Sequence, residues 1–157
     1  MRRPRPFLGL AAGIAAGLVA SAAMAAFQGQ ARKLLPESDA DPATVKAADV
    51  VTEAVTGDPV PDAQREASGQ LVHYVTGAVL GGLYGVLTEY RSEASAGFGS
   101  AYGIATAALL DEVAVPVADL GPAPQDTQLA THAYGAASHL VYGWVLEGVR
   151  ALIAGRR

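Results

Sequence analysis

Long uncharged runs alternate with short charged segments along this chain. No Asp, Glu, Lys or Arg occurs within 6–31, 67–88, 94–110 or 127–146. A helix needs about 20 residues to cross the roughly 30 Å hydrocarbon core of a bilayer. The pattern therefore predicts an all-α membrane bundle, one domain over 1–157, with spans at about 7–27, 71–90, 97–118 and 133–154.

The first apolar run has a second interpretation. Three arginines precede it, and Ala23-Met24-Ala25 resembles a cleavage site, as in a secretory signal peptide. The run is longer than the about 7–15 apolar residues of a signal peptide. Small residues also recur in it every four positions, at Gly9, Gly13, Gly17 and Ser21. A cleaved segment has no need of such regularity, so we expect the helix to be retained.

The segment 28–70 is predicted to lie outside the membrane. Asp41-Pro42 is typical of a helix start and Gly57 of a helix end. We therefore expect a short amphipathic helix at about Pro42–Thr56, lying against the membrane surface or the bundle. Its predicted apolar face consists of Val45, Ala48, Thr52 and Val55.

Basic residues predict the orientation, because cytoplasmic flanks carry an excess of Lys and Arg. With four spans, the side of the two termini holds Arg2, Arg3, Arg5, Arg91, Arg150, Arg156 and Arg157. The opposite side holds Arg32, Lys33, Lys46 and Arg65. Both termini are therefore expected in the cytoplasm, with 28–70 on the outer side.

An internal repeat links the second and fourth predicted spans. Both contain the pattern GA-x5-YG-x3-E, starting at Gly77 and at Gly135 and ending at Glu89 and at Glu147. An arginine follows each copy, one position out of register. Chance in a Gly- and Ala-rich background is the alternative to a true repeat of two helical hairpins.

Small residues at four-residue spacing lie along one helix face and let backbones approach closely, which favours helix association in lipid. We expect them to pack helices within one bundle, and pairing between protomers is an additional possibility. The predicted packing residues are Gly9, Gly13, Gly17, Gly77, Gly81, Gly85, Gly99, Gly103, Gly135 and Gly143.

Ionisable residues at membrane depth suggest function, because charge there is costly. Five of them fall in the outer half of the predicted bundle: His73, Asp111, Glu112, His132 and His139. One interpretation is a metal site or proton-exchanging cluster, since imidazole and carboxylate suit zinc, iron or manganese. The other is ordinary interface polarity. At the inner ends, Glu89 with Arg91 and Glu147 with Arg150 are predicted to be interfacial anchors and snorkelling ion pairs. Tyr84, Tyr90, Tyr142 and Trp144 are predicted to form an aromatic belt there.

The amino-acid composition excludes several classes of function. Charged residues make up 17%, against about 25% in soluble domains. The net charge of −4 argues against nucleic-acid binding, and the lack of cysteine excludes disulfides and thiolate chemistry. Neither a Ser-His-Asp arrangement nor an HExxH motif nor a phosphate-binding loop is present.

The chain resembles the YagU-like family of bacterial inner-membrane proteins, a domain of unknown function. The resemblance rests on the Gly-rich first helix, His73 before Gly77-Ala78, Tyr84-Gly85, Asp111-Glu112 with Pro116 and Leu120-Gly121, and His139-Leu140 with Tyr142-Gly143. It implies a multi-span protein of the bacterial inner membrane and no catalytic residues.

These observations predict a non-enzymatic bundle without a cofactor. Its expected partners are the lipid bilayer and either a second copy or another membrane protein. The alternative is transport, or proton or metal handling, through the outer His and carboxylate residues. A membrane metalloenzyme is the third and least favoured hypothesis.

Overall fold

The structure is a computed structural model that describes residues 3–34 and 40–156. Arg2, Arg157 and part of the acidic segment, which enter the predicted orientation, lie outside these residues. The described chain is helical and contains no strand. The helices are α1 Pro6–Ala31, α2 Ala43–Thr56, α3 Arg65–Tyr90, α4 Ser100–Leu109, α5 Val115–Val117 and α6 Leu129–Ala154.

A π-helical segment, Leu110–Ala114, joins α4 to α5, so these three elements form one distorted helix. Pro116 lies just beyond it. A proline ring clashes with the carbonyl four residues earlier, here that of Glu112, and offers no N–H to the helix. Widening of the preceding turn relieves such a clash. The helix ends at Val117, and Asp119 adopts a left-handed conformation with φ of 60°.

Among the described residues, three helices are long and apolar enough to cross a membrane: Pro6–Leu34, Asp62–Tyr90 and Ser100–Val117. They indicate a membrane protein, as the uncharged runs predict. The fourth predicted span coincides with α6, which has 26 residues but is not among these three. Its polar side chains explain the difference, because His139, Glu147 and Arg150 lower its mean hydropathy although they are buried in the bundle.

Helix α1 lies between α3 and α6, while α4 packs against α6 and α2 against α3. Glycine backbones meet at the α1–α3 crossing, where Gly9, Gly13 and Gly17 lie against Gly85, Gly81 and Gly77. A Cβ atom at any of these glycines would collide with the backbone or a side chain of the facing helix. The α4–α6 crossing has the same character, since Gly99 faces Gly143 and Gly103 faces the backbone of His139.

The outer surface of the bundle carries large apolar side chains, whereas many of the interior side chains are small or polar. The interior-facing positions of α1 are Ala12, Ala16 and Ala20, each at most 1% exposed. Larger apolar side chains on α1 and α3 point outward, among them Leu18, Val79 and Leu83. Soluble domains show the opposite arrangement, with most Leu and Val buried and most polar residues exposed. This distribution therefore favours a lipid environment.

Helix α2 begins one residue after its predicted start and ends at the predicted Thr56. Val45 and Ala48 are buried, whereas Val55 is 81% exposed, so only the first part of the predicted face is covered. Arg65 at the start of α3 fixes α2 through ion pairs of 2.8 Å to Asp41 and Asp49.

We expect Gly81→Leu to destabilise the bundle by about 1–3 kcal/mol, the usual effect of overpacking, because its side chain would enter the backbone of Gly13 and Gly17. Thermal unfolding in detergent measures the change. Val79→Leu, at a position that is 57% exposed, is the control and should stay within about 0.5 kcal/mol. Equal losses in both variants would contradict the importance of this crossing.

Candidate functional site

Two histidine–carboxylate pairs join the π-helical segment to α6. They lie at one end of the bundle, which contains Glu112 and His132 and which we call the loop end. His132 Nδ1 lies 2.6 Å from Glu112 Oε1, and His132 Nε2 lies 3.1 Å from the carbonyl oxygen of Pro124. Both side chains of this pair are partly exposed, at 28% and 35%. The pair is therefore accessible from outside the bundle.

The second pair reaches deeper into the bundle. His139 Nε2 lies 3.4 Å from Asp111 Oδ2, and the histidine side chain is only 8% exposed. Its other ring nitrogen, Nδ1, lies 3.3 Å from the hydroxyl of Thr106. Asp111 also rests on Gly135, where a Cβ atom would crowd the carboxylate. Consecutive carboxylates thus contact histidines seven positions apart on α6.

His73 is not part of either pair. Its Nε2 lies 3.1 Å from the carbonyl oxygen of Ser21 on α1, and its ring packs edge-on against Tyr74. Within 3–34 and 40–156, no three His, Asp or Glu side chains are grouped closely enough to hold a metal ion. The predicted residues are therefore arranged as two separate pairs and one single histidine.

A buried polar network occupies the opposite end, which we call the terminal end, marked by Arg5, Glu89 and Ala154. Arg150 holds Glu147 with two hydrogen bonds, Nε to Oε2 at 2.7 Å and Nη2 to Oε1 at 2.9 Å. The hydroxyl of Tyr84 donates to Glu147 Oε2 at 2.9 Å. The predicted ion pair of Glu147 with Arg150 is therefore confirmed. Its predicted surface position is wrong, because Arg150 is 1% exposed and Glu147 5%.

Two predicted belt tyrosines also lie inside the bundle. Tyr84 is 0% exposed and Tyr142 is 3% exposed, and the hydroxyl of Tyr142 donates to the carbonyl oxygen of Gly77 at 2.6 Å. Tyr90 and Trp144 are exposed, as expected for a belt. The repeat in the sequence could have indicated that Tyr84 and Tyr142 are buried, because in both copies the tyrosine lies at the same distance from the packing glycines.

Glu89, the counterpart of Glu147 in the repeat, pairs with Arg5. The backbone N–H of Arg5 donates to Glu89 Oε2 at 2.6 Å, and the guanidinium lies 3.7 Å from Oε1. The same guanidinium donates to the carbonyl oxygen of Ala154 at the end of α6. Arg5 thereby connects the start of α1 to the ends of α3 and α6.

The charge of the loop end depends on pH through His132, which lies just before the predicted span 133–154. The hydrogen bond with Glu112 raises the pKa of His132, and the carbonyl of Pro124 adds to the effect. The protonated ring donates to both partners, which explains the direction of the shift.

A family model described as "Protein of unknown function (DUF1440)" matches residues 51–148. These residues include α3, the distorted helix α4–α5, and most of α6, with both histidine–carboxylate pairs. Neither the curated proteins nor the solved structures contain a match.

We expect Glu112→Gln to lower the pKa of His132 toward its ordinary value of 6.5, as followed by NMR titration of the imidazole ring. A raised folded-state pKa stabilises the fold below about pH 6.5, and that contribution is lost as pH rises through the folded value. Unfolding measured at pH 5.5 and pH 8 should therefore differ less in Glu112→Gln than in the parent. Glu93→Gln, at an exposed carboxylate after α3, should behave as the parent does. An unchanged His132 titration in Glu112→Gln would contradict the pairing.

Proposed function

We propose, from the premise that the chain belongs to the DUF1440 family of proteins of unknown function, that it is a multi-pass membrane protein with a structural or supporting role and no enzymatic activity. The observation that carries this proposal is the α1–α3 crossing, where three glycines of one helix lie against three of the other. Such contacts stabilise helices in lipid, where the hydrophobic effect does not drive association.

The internal polar groups support the same role. Glu147 and Arg150 satisfy each other, Tyr84 and Tyr142 donate to partners inside the bundle, and Tyr102 donates to the carbonyl oxygen of Leu80. Charge at membrane depth is tolerated when it faces the interior and is paired. These groups join α3, α4 and α6 beyond their backbone contacts, as a rigid support would require.

Helix α6 is proposed as a fourth span, 133–154. Its 26 residues would extend about 39 Å at 1.5 Å per residue, enough to cross the hydrocarbon core. The residues that lower its hydropathy face α1, α3 and α4, while Leu152 and Ile153 are exposed. A helix can cross lipid with such a polar interior face because only its outer face meets hydrocarbon.

The finer placement follows from the resemblance to the YagU-like family and from the basic residues. We place the chain in the bacterial inner membrane with both termini in the cytoplasm. Helix α2 would then lie on the outer surface, held to α3 by Val45 and Ala48. Its exposed valines, Val50, Val51 and Val55, are available to the headgroup region, and the bilayer is the partner with the clearest support. We further propose that the bundle supports either a second copy of itself or another membrane protein.

The second candidate function is proton exchange at the loop end. The observation that favours it is the placement of Asp111 and Glu112 on a π-helical segment, each beside a histidine of α6. Single π turns inside α-helices occur frequently at functional sites. The first pair contains the partly exposed His132, and the second leads to the buried His139 and Thr106. Such a sequence of groups from the surface to the interior is what an entry route for protons requires.

Four spans place both termini on the same side, whereas a surface-bound α6 would leave the C-terminus on the opposite side. We expect reporters fused before residue 3 and after residue 157 to give the same cytoplasmic signal in intact cells. A reporter inserted within 57–61, between α2 and α3, is the matched control and should give the outer signal. Opposite signals from the two termini would contradict the fourth span.

A proton-flux assay separates the two functions. Purified protein in liposomes that contain a pH-sensitive dye should dissipate a pH gradient no faster than protein-free liposomes if the bundle is structural. Proton exchange across the bundle predicts faster decay that His139→Gln abolishes and His73→Gln preserves, because His73 lies outside both pairs. Decay above the protein-free rate with this dependence on His139 would overturn the structural role.

A further inference from the structure

Exposed arginines lie together at the terminal end of the bundle. Arg5 precedes α1, Arg91 follows α3 and Arg156 follows α6, and all three are exposed. The Arg5 guanidinium donates to the carbonyl oxygen of Ala154, and its backbone N–H donates to the carboxylate of Glu89. Arg156 and Arg91 follow these two partners by two residues each, a chain length of at most about 7 Å. The arginines therefore lie around the ends of three helices and form one basic surface, which we call the arginine surface.

Among the described residues, the carboxylates at this end are mostly buried. Glu89 and Glu147 are each 5% exposed, and Glu147 forms its ion pair with the buried Arg150. Glu93, just after α3, is exposed. The opposite end has the opposite charge, because residues 40–66 contain six carboxylates and two basic residues. The surface of the terminal end is therefore basic, and that of the opposite end is acidic.

Large apolar side chains are exposed directly beside the arginine surface. Phe7 near the start of α1 and Leu152 near the end of α6 are each 87% exposed, and Tyr90 at the end of α3 is 60% exposed. Each of them belongs to a helix, whereas the arginine of the same segment lies beyond the helix end. The cations thus lie at the end of the bundle and the apolar groups nearer to its middle. A phospholipid has the same order, with its phosphate above its acyl chains.

We propose that the arginine surface binds the headgroups of anionic phospholipids, whose acyl chains contact Phe7 and Leu152. Guanidinium groups suit this role because they bind phosphate oxygens with two parallel hydrogen bonds. Basic residues beside membrane spans attract anionic lipids in the same way. A soluble anion would gain only the contacts with the arginines, whereas a lipid also covers the exposed apolar groups. The bundle therefore prefers phosphatidylglycerol, which is anionic, to zwitterionic phosphatidylcholine.

This inference deepens the partnership with the bilayer proposed above and rests on it, because Phe7 and Leu152 meet acyl chains only when the bundle lies in a membrane. It adds the class of lipid and the end of the bundle that recognises it. The histidine–carboxylate pairs of the loop end have no part in it.

Electron paramagnetic resonance of spin-labelled lipids tests the proposal, because lipids in contact with a membrane protein move more slowly than those in the surrounding bilayer. The full chain is reconstituted in phosphatidylcholine, and the association of spin-labelled phosphatidylglycerol is measured relative to that of spin-labelled phosphatidylcholine. We expect the parent to favour the anionic lipid. Arg91→Gln with Arg156→Gln should lose about half of this preference or more, because each basic residue near a bilayer surface attracts anionic lipid.

Arg32→Gln with Lys33→Gln is the matched control, because it also removes two exposed basic residues, at the opposite end of the bundle. This variant should keep the preference of the parent. An equal loss in both double variants would overturn the proposal, since net charge and not the arginine surface would then attract the lipid. A parent that associates equally with both lipids would overturn it too.

Inorganic phosphate, added at constant ionic strength, distinguishes a lipid headgroup from a soluble anion. The preference of the parent for phosphatidylglycerol should not change, because the lipid has apolar contacts that inorganic phosphate lacks. Displacement of the lipid by inorganic phosphate would assign the arginines to a soluble ligand and reject the proposal.

Flotation with phosphatidylcholine vesicles separates this inference from the proposed membrane role. A chain that does not float would contradict both, whereas a chain that floats without a lipid preference would overturn only the inference. If Arg91→Gln with Arg156→Gln does not fold, the parent is measured at increasing NaCl concentration. A preference that depends on exposed arginines falls as salt screens their charge, and a preference that salt does not change would reject the arginine surface.

Discussion

Close approach of helix backbones is the constraint on which the rest of this structure depends. Where Gly13 lies against Gly81, the two helices leave no room between them for side chains. Large apolar residues are consequently displaced to the outer surface, where Leu18 and Leu83 lie. This explains why small residues and polar groups make up much of the interior, with few large apolar side chains such as Leu146. The apolar outer surface that results suits a lipid environment.

A bundle of this kind has little interior volume, so each polar group must find its partner within a short distance. Tyr142 reaches the carbonyl oxygen of Gly77 because that backbone is accessible beside a residue with no side chain. Tyr84 instead reaches a side chain across the bundle, the carboxylate of Glu147. The glycines therefore allow helices to approach and also expose backbone oxygens and space that buried polar side chains use.

The uncharged runs and glycine spacing of the sequence were enough to predict an all-helical bundle, and the four predicted spans correspond to the four long helical segments. Three of them are apolar enough to be candidate spans, and the fourth stays a proposal. The pairing of Asp111 and Glu112 with His139 and His132 was within reach because all four were assigned to one end. Burial of Arg150 could not be predicted, because an arginine near the end of a predicted span looks the same in the sequence whether it lies at the membrane surface or inside the bundle. The contact of Arg5 with Glu89 joins residues 84 positions apart, and no local pattern encodes it.

The similarity of the two helix crossings goes further than the repeat in the sequence. Gly77 and Gly135 are equivalent in that repeat, and a Cβ atom at the first would meet the side chain of Ser21, whereas at the second it would meet that of Asp111. Gly81 and His139 are equivalent in the same way, and each backs onto a glycine of the neighbouring helix. The pairs α1–α3 and α4–α6 therefore share one pattern of backbone contact and differ in the side chains beside it. Serine and glycine lie at one crossing where a carboxylate and an imidazole lie at the other. A close helix crossing thus fixes the positions of the backbones while leaving the chemistry of the neighbouring side chains open to change.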